Sequence, residues 1–428
     1  MIPVFTWPSP EARARISHQS FQDGELSRQV EKIVNDIQEK GDVALLEYTA
    51  ALDGCALTKD SLRVTPEEIK AAYAAVSPEF LTALRQAAEN IRQFHMLQKR
   101  RDWFTQDDTG SVTGQIFRPL SRVGAYVPGG TANYPSSVLM TCLPAAVAGV
   151  PEIVVVTPPD QSGGLPAATL VAAAEADVQE IYKIGGAQAI AALAYGTETI
   201  RSVDKIVGPG NIYVTLAKKL IYGAAGIDML AGPSEVLVIG DGSVSAGLAA
   251  ADLLTQAEHD KRARAILITP DREWAARVVG AVNEQLQELP RQSIAGESLS
   301  QSGAVIVVKD LEEAFAVSNQ VAPEHLSLLV AEPWTHLAKV QNAGSIFMGS
   351  YTPESLGDYW AGPNHVLPTG GAARYASPLS VDDFCKKSSI TNYTKEGLLK
   401  ARAGILTLAR TEKLWGHGLA VEKRFLAE

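Results

Sequence analysis

The chain has 428 residues, of which 46% are apolar, and its 48 acidic against 38 basic side chains give a formal net charge of −10. This acidic balance argues against nucleic acid or an anionic membrane as the main partner, and the large apolar share favours two or more domains. The sequence has no transmembrane or secretion-signal pattern, and its three cysteines predict no disulfide framework, so we expect a cytoplasmic protein.

The amino-terminal quarter is predicted to be mainly helical. Between residues 24 and 101, apolar side chains recur at intervals of three and four, and prolines stand at two helix starts. Residues 1–23 are expected to form an N-terminal arm, and residues 110–127 to form extended strands with turns.

From residue 152, short runs rich in Val and Ile alternate with helical segments, and the alternation restarts at Ser234 and continues to about residue 350. Such alternation predicts right-handed crossovers on parallel sheets. We therefore expect an α/β protein with two tandem, incomplete Rossmann-like sheet domains. The larger domain would comprise residues 24–125 plus 234–376, and the second would comprise residues 126–233.

The pattern changes after residue 350. A segment rich in Gly and Pro follows, is predicted to be a long loop, and contains Asp358 and His365. Residues 377–428 are expected to form a C-terminal arm, helical and amphipathic from Thr394, that reaches over a neighbouring subunit.

Two motifs could bind a nucleotide or a metal. Gly208-Pro209-Gly210-Asn211 follows a predicted strand and opens a helix, which suits a pyrophosphate or ribose, although any tight turn also needs glycine. Gln256 and His259 are three residues apart at a predicted helix end, so both could face one cation. The alternative is a polar helix end where the histidine caps carbonyl groups.

Further candidates combine a carboxylate with a histidine. Glu324-His325 precedes a predicted strand and could supply acid and base near neutral pH. Asp358 could approach a cation in its glycine-flanked loop, or simply form an Asx turn. Glu412 and His417, on one predicted helix, could contact one ligand or belong to a solvated face.

Taken together, the sequence resembles the histidinol dehydrogenase family through nearly its whole length. The resemblance is carried by ordered segments, which are GAYVPGGTANYPSSVLM, KIGGAQAIAALAYGT, DKIVGPGNIYVTLAKK, DMLAGPSEVLVI, LLTQAEHD, APEHL and GDYWAGPNHVLPTGG. It implies oxidation of L-histidinol through L-histidinaldehyde to L-histidine, with two NAD and one zinc ion, by a homodimer. In this family the C-terminal arm completes the partner's site.

The resemblance also implies roles for individual residues. The implied zinc ligands are Gln256, His259, Asp358 and His417, and the implied acid/base pair is Glu324 and His325. The implied substrate contacts are Ser234, Glu412, His325 and the four zinc ligands. The implied NAD contacts are Tyr126, Gln188 and Asn211.

Three other functions are compatible with parts of the pattern. A family relative could oxidise another small alcohol, such as a sulfonated propanediol, but Glu412 suits the cationic substrate histidinol. A zinc hydrolase is disfavoured by the missing H-E-x-x-H motif and by the tandem α/β pattern. A two-lobed binding protein is disfavoured by the missing export signal and by the set of His, Glu and Asp candidates.

Overall fold

The computed structural model describes residues 2–17, 24–129 and 133–426. The chain forms two compact units, one of Met1–Gln98 with Leu120–Phe384 and one of Lys99–Pro119 with Cys385–Glu428. Its strands, in chain order, are β1 Val4–Thr6, β2 Trp103–Gln106, β3 Val112–Pro119, β4 Arg122–Tyr126, β5 Glu152–Thr157, β6 Glu180–Lys183, β7 Lys205–Val207, β8 Gly226–Ile227, β9 Glu235–Gly240, β10 Arg264–Thr269, β11 Ala304–Val307, β12 His325–Leu329, β13 Ser345–Met348 and β14 Cys385–Asn392. Its α-helices are α1 Pro10–Ile16, α2 Gly24–Lys40, α3 Asp42–Tyr48, α4 Pro66–Ala75, α5 Pro78–Met96, α6 Pro135–Ala148, α7 Ala167–Glu175, α8 Gly186–Tyr195, α9 Ile212–Ile221, α10 Ala246–Ala257, α11 Arg272–Leu286, α12 Gln292–Gln301, α13 Leu311–Val321, α14 Pro333–His336, α15 Glu354–Tyr359, α16 Lys395–Thr411 and α17 Trp415–Leu426.

Two parallel sheets form the framework of the first unit. The six-stranded sheet has the order β1-β11-β10-β9-β12-β13, and the five-stranded sheet has the order β6-β5-β4-β7-β8. Apart from the added β1, the two sheets have the same strand order. In each, the first strand in sequence lies in the middle, the next two strands are added on one side of it, and the last two are added on the other side. The prediction of two tandem α/β sheets is confirmed.

Side chains of the central strands alternate between two apolar cores. On β9, Val236 and Val238 belong to the core on one face of the six-stranded sheet, whereas Leu237 and Ile239 belong to the core on the other. This burial on both faces explains why the strand is a continuous apolar run rather than an alternating one.

Helix α2 packs on the helices α8 and α9, which cover one face of the five-stranded sheet. This packing differs from the expected grouping of residues 24–125 with the 234–376 sheet. The limits of the expected segments otherwise stay a prediction.

The expected N-terminal arm is wrong where the structure describes it. Val4–Thr6 pairs in parallel with β11 and so adds an edge strand to the six-stranded sheet, and helix α1 follows. The sequence missed this strand because three residues are too few to establish a period. Residues 18–23 of the expected arm lie outside the described residues.

The second unit is an antiparallel sheet, β14-β3-β2, followed by two helices. The expected helical C-terminal extension is confirmed from Lys395, but it is preceded by strand β14, which was not predicted. The single predicted helix is also wrong, because the chain turns between α16 and α17 at Lys413, whose φ is +60°. Among the described residues, no helix is both long and apolar enough to cross a bilayer.

Candidate active site

Glu324 and His325 lie where β12 begins, beside the first residue of β9. The backbone of that residue, Glu235, contacts both: its N–H donates to Glu324 Oε2 at 2.9 Å, and its carbonyl accepts from His325 Nδ1 at 3.1 Å. Because a carbonyl can only accept, Nδ1 carries the imidazole proton and Nε2 keeps a free lone pair. The register of β9 with β12 therefore fixes a carboxyl group and a proton-accepting nitrogen side by side.

Burial shapes the protonation of this pair. Burial raises the pKa of Glu324 well above its usual value, opposed by the Glu235 N–H and reinforced by the charges of Glu235 and Asp358. Burial, reinforced by the nearby His365 and His259, lowers the pKa of His325 to about 3. The imidazole is thus neutral at pH 7, as a base requires.

Gln256 lies in the last turn of α10, which returns the chain to the same end of the six-stranded sheet. One end of its carboxamide lies 2.5 and 3.1 Å from the two carboxylate oxygens of Glu354, and we assign the atom at that end as the nitrogen because carboxylate oxygens accept hydrogen bonds. His259 follows two residues after the helix ends, and its backbone N–H bonds the Gln256 carbonyl at 3.2 Å. Of the two, Gln256 is buried and His259 is exposed.

Asp358 lies on the short helix α15, where the sequence predicted a loop, so that prediction is wrong here. Pro353 precedes the helix and Glu354 is its first residue. Ligand atoms of His325, Glu354 and Asp358 lie within 4.8 Å of one another. Burial raises the pKa of Asp358 to about 6.

His365 adds a third imidazole to this region. Its Nδ1 donates to the backbone carbonyl of Asp358 at 3.1 Å, and burial lowers its pKa to about 4. A cavity of about 100 Å³ opens beside it, with His325, Asp358 and His365 as polar walls and Phe347 and Leu356 as apolar walls. A small molecule carrying polar groups could fill such a space.

The cluster suits a divalent cation. Burial raises the pKa of Glu354 well above its usual value, and the charges of Asp358, Glu324 and Asp252 raise it further. A cation would relieve this repulsion among buried carboxylates. Amide oxygen, imidazole nitrogen and carboxylate oxygen are together an acceptable donor set for zinc, although an amide ligand is uncommon.

A second group of candidate residues lies at the carboxyl ends of strands in the five-stranded sheet, whereas the first group lies at the amino ends of strands in the six-stranded sheet. Tyr126 ends β4, and Gly208 follows β7, its neighbour in the sheet. Connections leave β4 and β7 in opposite directions, which makes a crevice at their carboxyl ends where α/β proteins bind nucleotides. The Asn211 side chain caps α9 by accepting from Tyr213 N and Val214 N, at 3.0 and 3.2 Å.

Tyr126 and Gln188 meet at the start of α8. The Tyr126 hydroxyl accepts from Gly186 N at 3.2 Å, and burial raises its pKa to about 12. The Gln188 Nε2 donates to Asp53 Oδ2 at 3.2 Å, while its buried Oε1 has no hydrogen-bond partner among the described residues. An unpaired buried oxygen of this kind is available to a ligand donor.

A sequence model of histidinol dehydrogenase matches residues 16–425 of this chain. The chain belongs to the histidinol dehydrogenase family. It is 55% identical over 414 residues to the histidinol dehydrogenase of Moorella thermoacetica, covering 97% of this chain and 98% of that one. It is 51% identical over 424 residues to that of Heliobacterium mobile, covering 99% of each. The crystal structure of histidinol dehydrogenase from Elizabethkingia anophelis superimposes with a TM-score of 0.95 at 40% identity, covering 100% of this chain and 98% of that chain.

As a histidinol dehydrogenase family member, the protein is an oxidoreductase, and its expected site residues divide between the two compact units. The first unit gathers Gln256, His259, Glu324, His325 and Asp358 around the amino ends of β9 and β12. Ser234 immediately precedes β9, where its carbonyl accepts from Arg264 N at 3.0 Å.

Glu412 and His417 belong to the second unit, where both side chains are exposed. Glu412 caps the end of α16 and His417 lies in α17. The prediction that the two share one helix is therefore wrong.

Three residues of the candidate sites were not predicted from the sequence. Glu354 was not predicted because its segment was expected to be a loop. In the helix that the segment forms, residues four apart, such as Glu354 and Asp358, lie on the same face. Glu235 acts through its backbone, which leaves no trace in the residue type. Asp53 lies 135 positions from its partner Gln188.

Proposed function

We propose that the protein oxidises L-histidinol through L-histidinaldehyde to L-histidine, the last two steps of histidine biosynthesis, using two NAD and one zinc ion per subunit. The observation that carries the proposal is the paired contact of the Glu235 backbone with Glu324 and His325, beside the buried carboxylates and imidazoles. Such an arrangement supplies a proton acceptor and a second acid or base within one site.

The proposed zinc ligands are Gln256, His259, Asp358 and His417. Bound there, zinc would hold the substrate through its imidazole and amino nitrogens and so fix its orientation. Glu412 suits the cationic substrate by charge, and Ser234 would contact it at the start of β9.

In the proposed first step, His325 Nε2 accepts the proton of the substrate hydroxyl while hydride leaves the carbon that bears this hydroxyl. The Nδ1–H stays bonded to the Glu235 carbonyl, so the ring keeps its orientation as it becomes charged. Glu324, whose nearer oxygen is 3.8 Å from Nδ1, stabilises that charge.

In the proposed second step, Glu324 takes a proton from the water that attacks the aldehyde. Hydride then leaves the carbon of the resulting hydrate and one hydroxyl proton is released, which gives the acid. A carboxylate with a raised pKa is the stronger base, which suits this role. NAD, bound through Tyr126, Gln188 and Asn211, would accept the hydride of each step.

The overall reaction is tested by measuring NADH formed from L-histidinol together with the histidine produced. We expect two NADH per histidine. If neither histidinol nor histidinaldehyde yields NADH, the proposal is rejected. The alternative of a relative that oxidises a sulfonated propanediol is not favoured, because the relatives at 51 and 55% identity are histidinol dehydrogenases.

We further propose a homodimer in which Glu412 and His417 complete the site of the partner subunit. Mixing a His325→Asn protein with a His417→Asn protein under subunit exchange tests this directly. If the arm crosses, each heterodimer has one intact site and part of the activity returns. If mixed dimers are detected but no activity returns, the shared site is excluded.

A further inference from the structure

One buried carboxylate is not used by the proposed reaction. Glu354 is the first residue of α15, and only 4% of its side chain is exposed. A charge is costly to bury unless it is paired or binds a cation, so a glutamate at this position needs a partner. Its carboxylate lies within 4.0 Å of both Gln256 and His325.

The contact with Gln256 is directional. Both oxygens of Glu354 face the amide atom assigned as the Gln256 nitrogen, at 2.5 and 3.1 Å, whereas the distance from Oε1 to His325 Nε2 is 4.0 Å. A cation bound beside Glu354 would keep its carboxylate ionised. An ionised carboxylate only accepts hydrogen bonds, so it selects the NH₂ end of the amide and turns the amide oxygen away. The rotation of Gln256 is thereby fixed.

This rotation decides whether Gln256 can ligate a metal. A carboxamide has two ends of almost the same size, but only its oxygen can donate to a cation, since the NH₂ hydrogens are repelled by it. An unrestrained carboxamide would therefore present the wrong end for part of the time. A fixed one presents the oxygen without having to reorient on binding.

We propose that Glu354 is a positioning residue that holds the Gln256 carboxamide with its oxygen directed to the bound cation. The inference rests on the proposed zinc site. Partners of this kind typically change metal affinity by about 10- to 100-fold when they are removed. Glu354 would not touch the substrate and would act through Gln256.

A double-mutant cycle on zinc affinity tests the proposal. The zinc dissociation constants of metal-free wild-type, Glu354→Ala, Gln256→Ala and doubly substituted proteins are measured by competition with a chromophoric chelator. We expect Glu354→Ala to weaken zinc binding by about 10- to 100-fold. In the Gln256→Ala background the same change should weaken it by less than about threefold, because the residue to be positioned is already absent.

Two control variants separate positioning from charge. Asp252→Asn removes another buried carboxylate, one that accepts from Ser327 Oγ at 3.0 Å and lies one helical turn before Gln256 on α10. Its zinc affinity should stay within about threefold of the wild type. Glu354→Gln keeps one acceptor oxygen for the Gln256 amide and should lose less affinity than Glu354→Ala. If Glu354→Ala fails to fold by circular dichroism, the cycle is built with Glu354→Gln.

The outcomes are distinct. Three results would each overturn the positioning role. They are wild-type zinc affinity in Glu354→Ala, a loss of zinc affinity in Asp252→Asn equal to that in Glu354→Ala, and losses of zinc affinity that multiply in the double variant. The last two would indicate a simple charge effect or a direct ligand, whose effects are additive in free energy. A wild-type protein that binds no zinc would instead overturn the proposed function itself.

Discussion

Gly208 makes the nucleotide crevice testable with a single methyl group. Its φ is +108°, and a Cβ atom added there would lie 2.1 Å from the Tyr126 carbonyl oxygen and 3.1 Å from its carbon. Carbon–oxygen contacts are normally about 3.3 Å, so the chain must shift by roughly 1 Å. Backbone strain of about 1–3 kcal/mol adds to this clash, and reduced freedom of the unfolded chain offsets only about 0.4–1 kcal/mol.

We therefore expect Gly208→Ala to lower the free energy of unfolding by about 2–4 kcal/mol. Since Tyr126 is a proposed NAD contact and misplacement by 1 Å can cost about 100-fold, KM for NAD should rise by roughly 10- to 100-fold. Zinc affinity should not change, because none of the proposed ligands belongs to the five-stranded sheet. The assays are urea denaturation, steady-state kinetics with varied NAD, and chelator competition.

Gly280→Ala is the matched control. Gly280 lies in the interior of α11 with nothing within 4 Å of the added Cβ, so the same methyl group should stabilise the protein by about 0.5–1 kcal/mol. If Gly208→Ala is as stable as Gly280→Ala, the close approach of Gly208 to Tyr126 does not limit the residue type at position 208. If Gly208→Ala has a wild-type KM for NAD, this approach does not position an NAD contact.

Four further predictions address the other parts of the site and its scaffold. His325→Gln should lower kcat by about 10²- to 10⁴-fold while zinc affinity stays within about threefold, and an equal loss of both would contradict its role as a base. Asp53→Ala frees Gln188 and should raise KM for NAD by about tenfold without changing zinc affinity, measured by kinetics and chelator competition. The Arg122 guanidinium, hydrogen-bonded to Glu180 at 2.7 and 3.1 Å, lowers the pKa of that carboxyl to about 2. Its contribution to stability is therefore present above about pH 4.5 and lost as pH falls toward 2, so between pH 7 and 3 the wild type should lose about 2 kcal/mol more than Glu180→Gln in urea titrations. Prolonged treatment with a chelator should abolish NADH formation and added zinc should restore it, whereas full turnover by metal-free enzyme would exclude the zinc role.

The alternation of strands and helices in the first unit could be predicted because its longer strands contain uninterrupted apolar runs. Runs such as those of β5 and β9 are buried on both faces, which only a parallel sheet with helices on both sides allows. The strand order could not be predicted in the same way, since hydrophobic periodicity carries no information about which strands are neighbours.

Short elements escaped prediction for a different reason. The three residues of β1 and the six of α15 contain too few positions to show a period, and tertiary contacts decide their conformation. The consequence was largest at α15, because its helical turn places Glu354 beside Asp358 and so brings both to the cluster. With a loop predicted there, nothing in the sequence indicated that Glu354 and Asp358 lie close together.

Residue roles were harder to predict than elements because some of the site is built from backbone. His325 depends on the Glu235 carbonyl for its tautomer, and any residue type at position 235 could supply that carbonyl. Resemblance to a family transfers side chains that match by type, so it identified His325 but could not identify the group that orients it. Such a contact becomes visible only when the register of β9 against β12 is known.

The two sheets use opposite ends of their strands, although their strand orders correspond. The five-stranded sheet offers Tyr126 and Gly208 at carboxyl ends, where the general rule for parallel sheets places a ligand. The six-stranded sheet offers Glu235 and His325 at amino ends, to which α10 returns the chain with Gln256. A search confined to the carboxyl ends of strands would therefore find the proposed nucleotide crevice and miss the acid/base pair. The reason is physical: the first residue of β9, Glu235, presents its backbone N–H and carbonyl, and both are bonded by the side chains of Glu324 and His325, which are proposed to move protons.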